Sequence, residues 1–301
     1  MLMNPHSGGG KVSRFQLAER AERLGARVSM IGDSRDAGSL ARHAVEAGAE
    51  VLGVAGGDGT VSAVATVAAA ADVPLLVIPA GTRNHFARDL GLNTRNPARA
   101  LEVLLDGQPT HIDLGVIDSH VFVNNVSFGF YAEALLEPGY REAKARSLAT
   151  VAPGYLEGQQ WVNASIDAPE GTIEHPQVVL VSNNPYQLAI PRYHGRRLSL
   201  TAGLLGVVVL KRPTGPPPPD LLSRLRRDLR KHGGSGHYAG LSTWSAAQVT
   251  LQGACAHLPA GIDGEPVTLH LPATCQVHPG GLRVLLPRRR PGIAAEEHRR
   301  A

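Results

Sequence analysis

The sequence predicts an α/β domain built on a parallel sheet, followed by a second domain that is an all-β sandwich. Two observations carry this. From Lys11 to about Asn124, near-continuous apolar strands alternate with helical patterns, and glycine-rich turns follow the strands. Such alternation calls for a parallel sheet covered on both faces. After about Asp113 the texture changes to short alternating segments punctuated by Gly, Pro, Asn and Asp, the pattern of antiparallel pairing.

Taken in order, Phe15, Ala18, Ala21 and Leu24 share one helical face that ends at Gly25, and residues 28–31 read as a short strand. Leu40, Ala41, Ala44 and Val45 mark a helix that stops at Gly48. The strand 51–55, the helix 61–71 and the strand 73–78 come next, then helices over 84–90 and 98–105. The β half is read as strands at 111–117, 121–126, 177–181, 204–210, 248–251, 267–271 and 282–286. The opening strand Met1-Leu2-Met3 is short, which suggests either a start further upstream or a frayed edge strand. These readings divide the chain into a domain over 1–112, with the strand 281–287 packing back near it, a domain over 113–280, and a basic, disordered tail over 288–301.

Composition sets limits on function. With 43% hydrophobic and 19% charged residues over 301 positions, the chain is an ordinary globular protein. No window approaches the roughly 18 to 20 apolar residues of a membrane-spanning helix, and no secretion signal opens the chain, so a cytoplasmic protein is expected. The two cysteines, Cys255 and Cys275, are read as buried thiols rather than a disulfide or metal site. A net charge of +4 favours anionic partners. Much of it lies in the tail and in 220–231, where Leu222, Leu225 and Leu229 share a helical face ringed by arginines. That helix suits either an anionic membrane surface or packing on its own domain. No aromatic residues interleave with the basic runs, so no nucleic-acid partner is expected.

Four clusters carry chemistry. Gly56-Gly57-Asp58-Gly59-Thr60 joins an apolar strand to a helix, where backbone N–H groups and the helix's positive end can hold phosphate. An acid among phosphates needs a divalent cation or a reacting hydroxyl beside it, so Asp58 points to phosphoryl transfer. The alternative for Asp58 is a helix N-cap. Asn4-Pro5-His6-Ser7-Gly8-Gly9-Gly10-Lys11 offers further N–H groups, the Ser7 hydroxyl and the Lys11 charge. Gly81-Thr82-Arg83-Asn84 repeats the strand-turn-helix geometry, with Arg83 or Arg88 able to meet phosphate. In the β half, Asp263-Gly264-Glu265 brackets a glycine with two carboxylates, either a general base with its partner or a common hairpin turn.

Together these segments resemble the diacylglycerol kinase catalytic-domain family, which includes bacterial lipid kinases and the sphingosine and ceramide kinases. The resemblance runs through Asn4-Pro5 with Ser7-Gly8, Gly56 to Thr60, Pro79-Ala80-Gly81-Thr82 with Asn84, Ile112-Asp113-Leu114-Gly115, Phe122-Val123-Asn124-Asn125, and Asp263-Gly264-Glu265-Pro266. It implies a Rossmann-like nucleotide-binding domain, a β-sandwich lipid-substrate domain and an active site in the cleft between them. It implies an ATP-dependent phosphotransferase acting on a lipid hydroxyl, with ATP and Mg²⁺ as cofactors and peripheral association with an anionic membrane. Gly57, Asp58, Thr60, Thr82 and Asn84 would then hold ATP and Mg²⁺, Asp113 would serve the metal side, and Asp263 would be the base with Glu265 beside it. In some relatives the glycine-turn acid takes the base's role, so Asp58 and Asp263 exchange functions in that version.

Three features depart from the family's pattern. His85 stands where many bacterial members carry an acid, residues 198–206 lack the carboxylates of a structural Mg²⁺ site, and the first strand is short. An NAD kinase and a non-catalytic nucleotide-binding regulator are the alternatives. A homodimer and the identity of the lipid are left open.

Overall fold

The computed structural model describes residues 1–32, 36–136, 160–187, 195–211 and 240–288. The chain forms two compact units, Met1–Leu114 with Pro279–Ala301, and Gly115–His278. The amphipathic stretch at 220–231 and the tail beyond Arg288 lie outside the described residues.

In chain order the first unit contains β1 (Leu2–Met3), α1 (Lys11–Arg14), α2 (Leu17–Arg23), β2 (Ser29–Met30), α3 (Ala37–Glu46), β3 (Leu52–Gly56), α4 (Asp58–Ala70), β4 (Leu75–Pro79), α5 (His85–Asp89), α6 (Val103–Asp106) and most of β5 (Gln108–Ile117). Strands β2, β1, β3 and β4 lie side by side in that order, all parallel. Every residue of β3 and β4 is buried, as a sheet covered on both faces requires. One face packs Met3, Ala55 and Ile78 against Val12, Leu17, Ala21, Ala100 and Leu101. Helix α4 is rich in alanine, a strong helix former, and buries Val61, Val64, Ala65, Val67 and Ala68.

The second unit contains β6 (His120–Phe122), β7 (Asn125–Gly129), α7 (Phe130–Leu136), β8 (Ser165–Ala168), β9 (Gly171–Glu174), β10 (Val178–Asn183), β11 (Tyr186–Gln187), β12 (Arg196–Arg197), β13 (Leu205–Leu210), β14 (Leu241–Ala246), β15 (Gln248–Gln252), β16 (His257–Ile262), β17 (Glu265–His270) and the start of β18 (Ala273–Leu286). One antiparallel sheet runs β14-β13-β10-β7-β16-β17. A second pairs β18 with β15, β15 with β8 and β8 with β9. Their inner faces share one core that includes Phe122, Phe128, Val179, Val207, Val249, Leu251 and Leu269, which is the predicted sandwich. From Pro279 onward β18 belongs to the first unit, where Val284 pairs in parallel with Leu75 of β4.

Several expectations are corrected. The second unit is the expected antiparallel β domain and also carries a helix the sequence did not suggest: α7 packs on β7 and β16, with Ala132, Ala134 and Leu135 buried. Gly261 accommodates this helix, since a Cβ there would collide with Leu135. The first predicted helix is two pieces, because Gln16 takes a left-handed conformation with φ of 50°. The helix expected at 98–105 begins as a 3₁₀ turn, Pro97–Glu102. Strand β1 is not an edge, since it pairs with β2 on one side and β3 on the other. Only Cys275 is fully buried, and burial pushes its thiol up to about 12. Cys255 is half-buried and its Sγ donates to the Asn163 carbonyl at 3.2 Å.

Candidate active site

In the first unit the three glycine segments predicted from sequence come together at the ends of β1, β3 and β4. Residues Ser7–Gly9 form a 3₁₀ turn, and Gly8 has φ of 57°. A Cβ on Gly8 would strike the Ala80 carbonyl, and one on Gly81 would strike the Gly57 Cα. Backbone therefore packs directly on backbone at the three turns, a fit that only glycine permits.

Side chains then pin the turns. The Lys11 Nζ donates to the Gly81 carbonyl at 2.8 Å. Asn84, itself in a left-handed conformation, accepts from the Gly81 N–H and donates to the Gly81 carbonyl, both at 2.8 Å. Asn4 donates to Thr60 Oγ1 at 3.5 Å and accepts from the His6 N–H at 3.0 Å. Lys11 and Asn84, both expected among the nucleotide ligands, have their side chains bonded to Gly81, and Asn84 is only 3% exposed. Among the predicted ligands of the third turn, Thr82 is exposed, as is Arg83 beside it.

The N-cap of α4 is Gly57, with no side-chain capping bond. Asp58 is therefore not a cap. It is the first helical residue, and its Oδ1 accepts the Phe86 N–H at 3.3 Å. Helix α3 differs, since Asp36 caps it by accepting the Ser39 N–H at 2.8 Å. The first N–H groups of α4 thus point out of the helix without a side-chain partner, at its positive end, where an anion is favoured. His85 stands near Asp58. Burial chiefly lowers its pKa, with Arg88 and Arg83 adding to this against the opposing pull of Asp58. The Arg88 Nη2 lies 3.1 Å from His85 Nδ1, a contact in which the guanidinium can only donate and which therefore favours the neutral imidazole. Burial, with the charge of Arg14 second, also lowers the Lys11 pKa.

Asp113, the second predicted metal ligand, is 3% exposed and its Oδ1 accepts the Gly280 N–H at 3.2 Å. Among the described residues no three His, Cys, Asp or Glu side chains gather as a metal cage. Mg²⁺ needs none: it is held by one or two carboxylates together with substrate phosphates. Half-buried Asp58 beside an uncapped helix end fits that donor set.

In the second unit, Asp263 and Gly264 form the two-residue turn between β16 and β17, with φ of 49° and 89° and Ile262 paired with Glu265. Two positive φ values mark a type I′ hairpin, which favours Asp-Gly. The segment is thus the common hairpin turn that the sequence allowed, and this does not exclude a functional role for Asp263. The Asp263 carboxylate turns inward. Its Oδ2 accepts the Val123 N–H at 2.9 Å, and its Oδ1 accepts the Asn124 N–H at 2.7 Å and the Asn125 N–H at 3.0 Å. Glu265 is exposed on the strand that follows, so the two acids differ sharply in environment. Sequence reasoning missed Arg197, which reaches the same 123–124 segment. Arg196-Arg197 in a polar stretch looks like surface, and no local pattern marks the second arginine as buried.

Comparison with known proteins supports the resemblance found in the sequence. Residues 1–117 match the family described as Diacylglycerol kinase catalytic domain. A diacylglycerol kinase from Mycobacterium tuberculosis is 42% identical over 120 residues, a match covering 38% of this chain and 39% of that protein. A probable lipid kinase, YegS-like, from Pseudomonas aeruginosa is 28% identical over 292 residues, covering 95% of this chain and 93% of that one. A crystal structure of a putative diacylglycerol kinase from Bacillus anthracis superposes with a TM-score of 0.69 over 95% of this chain and 96% of that one, at 16% identity, a likeness of fold.

Proposed function

We propose, starting from the match of residues 1–117 to the Diacylglycerol kinase catalytic domain family, that this protein is an ATP-dependent lipid kinase that moves the γ-phosphate of ATP to a lipid hydroxyl. The observation that carries the reading is the glycine cradle, in which Gly8, Gly57 and Gly81 meet backbone to backbone beside the uncapped end of α4. In phosphoryl transfer the protein contributes mainly position and electrostatics, and such a cradle provides both.

In this reading the N–H groups at the start of α4, with Thr60 and the exposed Thr82 and Arg83, contact the nucleotide phosphates. Asn4, Lys11 and Asn84 keep the turns in shape. Asp58 would hold Mg²⁺, which supplies charge neutralisation on the transferring phosphoryl group. Asp263 takes the proton of the attacking hydroxyl, and its carboxylate needs no reorientation because three N–H groups already fix it. Asp113 acts by fastening β5 to Gly280. The protein works at an anionic membrane surface, a reading supported by the net charge of +4. No helix among the described residues is long and apolar enough to cross a membrane.

The test is ATP turnover against diacylglycerol, monoacylglycerol, ceramide, sphingosine, phosphatidylglycerol and NAD. Phosphorylation of one lipid class is the expected result. Phosphorylation of NAD alone would make the protein an NAD kinase, and nucleotide binding without any turnover would make it a regulator.

A further inference from the structure

We infer that Arg197 is a positioning residue for Asp263, acting through the single peptide unit between Val123 and Asn124. This rests on the kinase reading, which gives Asp263 its chemical role. Arg197 lies on β12 and is 2% exposed. Its Nη1 donates to the Val123 carbonyl and, at 2.9 Å, to the Asn183 carbonyl, while its Nη2 donates to Asn124 Oδ1 at 3.0 Å.

The Val123 carbonyl and the Asn124 N–H are two ends of one peptide group. Arg197 binds the first, and Asp263 binds the second at 2.7 Å. A cation at the oxygen end and an anion at the hydrogen end polarise that peptide in the same sense, so each bond strengthens the other. Buried charges demand compensation, and these two are linked across a single dipole. The surrounding bonds brace the same segment. The Asn183 N–H donates to the Asn124 carbonyl, and the Asp263 N–H to the Asn125 carbonyl, both at 2.9 Å. Asn125 Nδ2 donates to the Tyr186 hydroxyl at 3.1 Å, and Tyr186 pairs across strands with Arg197, whose guanidinium carbon lies 5.8 Å from the ring centroid.

Three acceptors held by two nitrogens of one planar group require a guanidinium, which an ammonium does not replace. Arg197 thereby sets the direction of the N–H groups that orient the Asp263 carboxylate. It contacts neither substrate nor nucleotide in this role.

The test is a double-mutant cycle with Arg197→Lys and Asp263→Asn, read as kcat and KM for ATP after wild-type turnover has been measured against the lipid panel. Arg197→Lys is expected to lower kcat about tenfold while the KM for ATP changes by less than about twofold. In the Asp263→Asn background the same change should alter the residual rate by less than about twofold, because the group it positions is gone. Equal losses in both backgrounds, or an unchanged kcat, would overturn the proposal. If the lysine variant does not accumulate as folded protein, Asn124→Ala, which withdraws one of the three acceptors, goes through the same cycle and is judged by the same outcomes. Absence of wild-type turnover on every lipid would sink the kinase reading and this role with it. Wild-type turnover with equal losses sinks this role alone.

Discussion

At Gly8, Gly57 and Gly81 the backbone packs on backbone and side chains are kept out, whereas at Asp263 a side chain is enclosed by backbone. The first arrangement leaves N–H groups at a helix end facing outward, available to an anion that arrives from solution. The second turns three N–H groups inward onto an anion the protein already carries. The same donor chemistry thus faces outward in one region and inward in the other, and in the proposed reading the first serves binding and the second orientation. Mutations in the two regions should therefore fail in different ways.

Asp263→Asn carries the largest expected effect. Turnover should fall by about 10² to 10⁴, the usual contribution of a positioned base, while ATP affinity stays within about twofold. Retained turnover would move the base to Asp58 and erase the contrast. Gly8→Ala should do the reverse. Its Cβ would meet the Ala80 carbonyl at a φ of 57°, so ATP affinity should drop by roughly tenfold or more, and stability by about 1 to 3 kcal/mol. Isothermal titration and thermal melts read both quantities, and unimpaired ATP binding would remove Gly8 from the cradle. Lys11→Met should be milder, a few-fold loss of ATP affinity, because Asn84 still holds Gly81. A loss as large as that of Gly8→Ala would mean that Lys11 touches phosphate directly.

The smallest effect is one of pH. His85 has a folded pKa below its ordinary value. The unfolded chain therefore takes up the proton first on acidification, so the full stability present above about pH 6.5 declines as pH falls toward the lowered value. Melts at pH 7.5 and pH 5.5 should differ less for His85→Gln than for the wild-type protein. An identical difference in both would show that His85 does not contribute to it.

The first unit was largely legible because its signals are local. Buried parallel strands read as apolar runs, and the glycine turns stand directly after them. The second unit was legible in class but not in detail. Strand β14 reads Leu-Ser-Thr-Trp-Ser-Ala and β16 contains Pro259 and Gly261, so neither advertises a strand. Pro259 is tolerated because β7 pairs only with Ala260, Gly261 and Ile262. Helix α7 and buried Arg197 depend on partners distant in sequence, which no window reveals. Within the site, the glycine turns were legible as local motifs, whereas the bonds that tie Asn84 and Lys11 to Gly81 were not, since Lys11 lies 70 residues from its partner.

The hairpin turn at Asp263 has one more consequence, which concerns descent. A type I′ turn accepts asparagine as readily as aspartate at this position. A single-nucleotide change from Asp to Asn would thus suit the turn's backbone while removing the charge and setting an amide N–H₂ group against one of the N–H groups the carboxylate now accepts. In the proposed kinase reading, a gene copy carrying that change would lose its base in one step, and the segment the carboxylate holds would bear the cost.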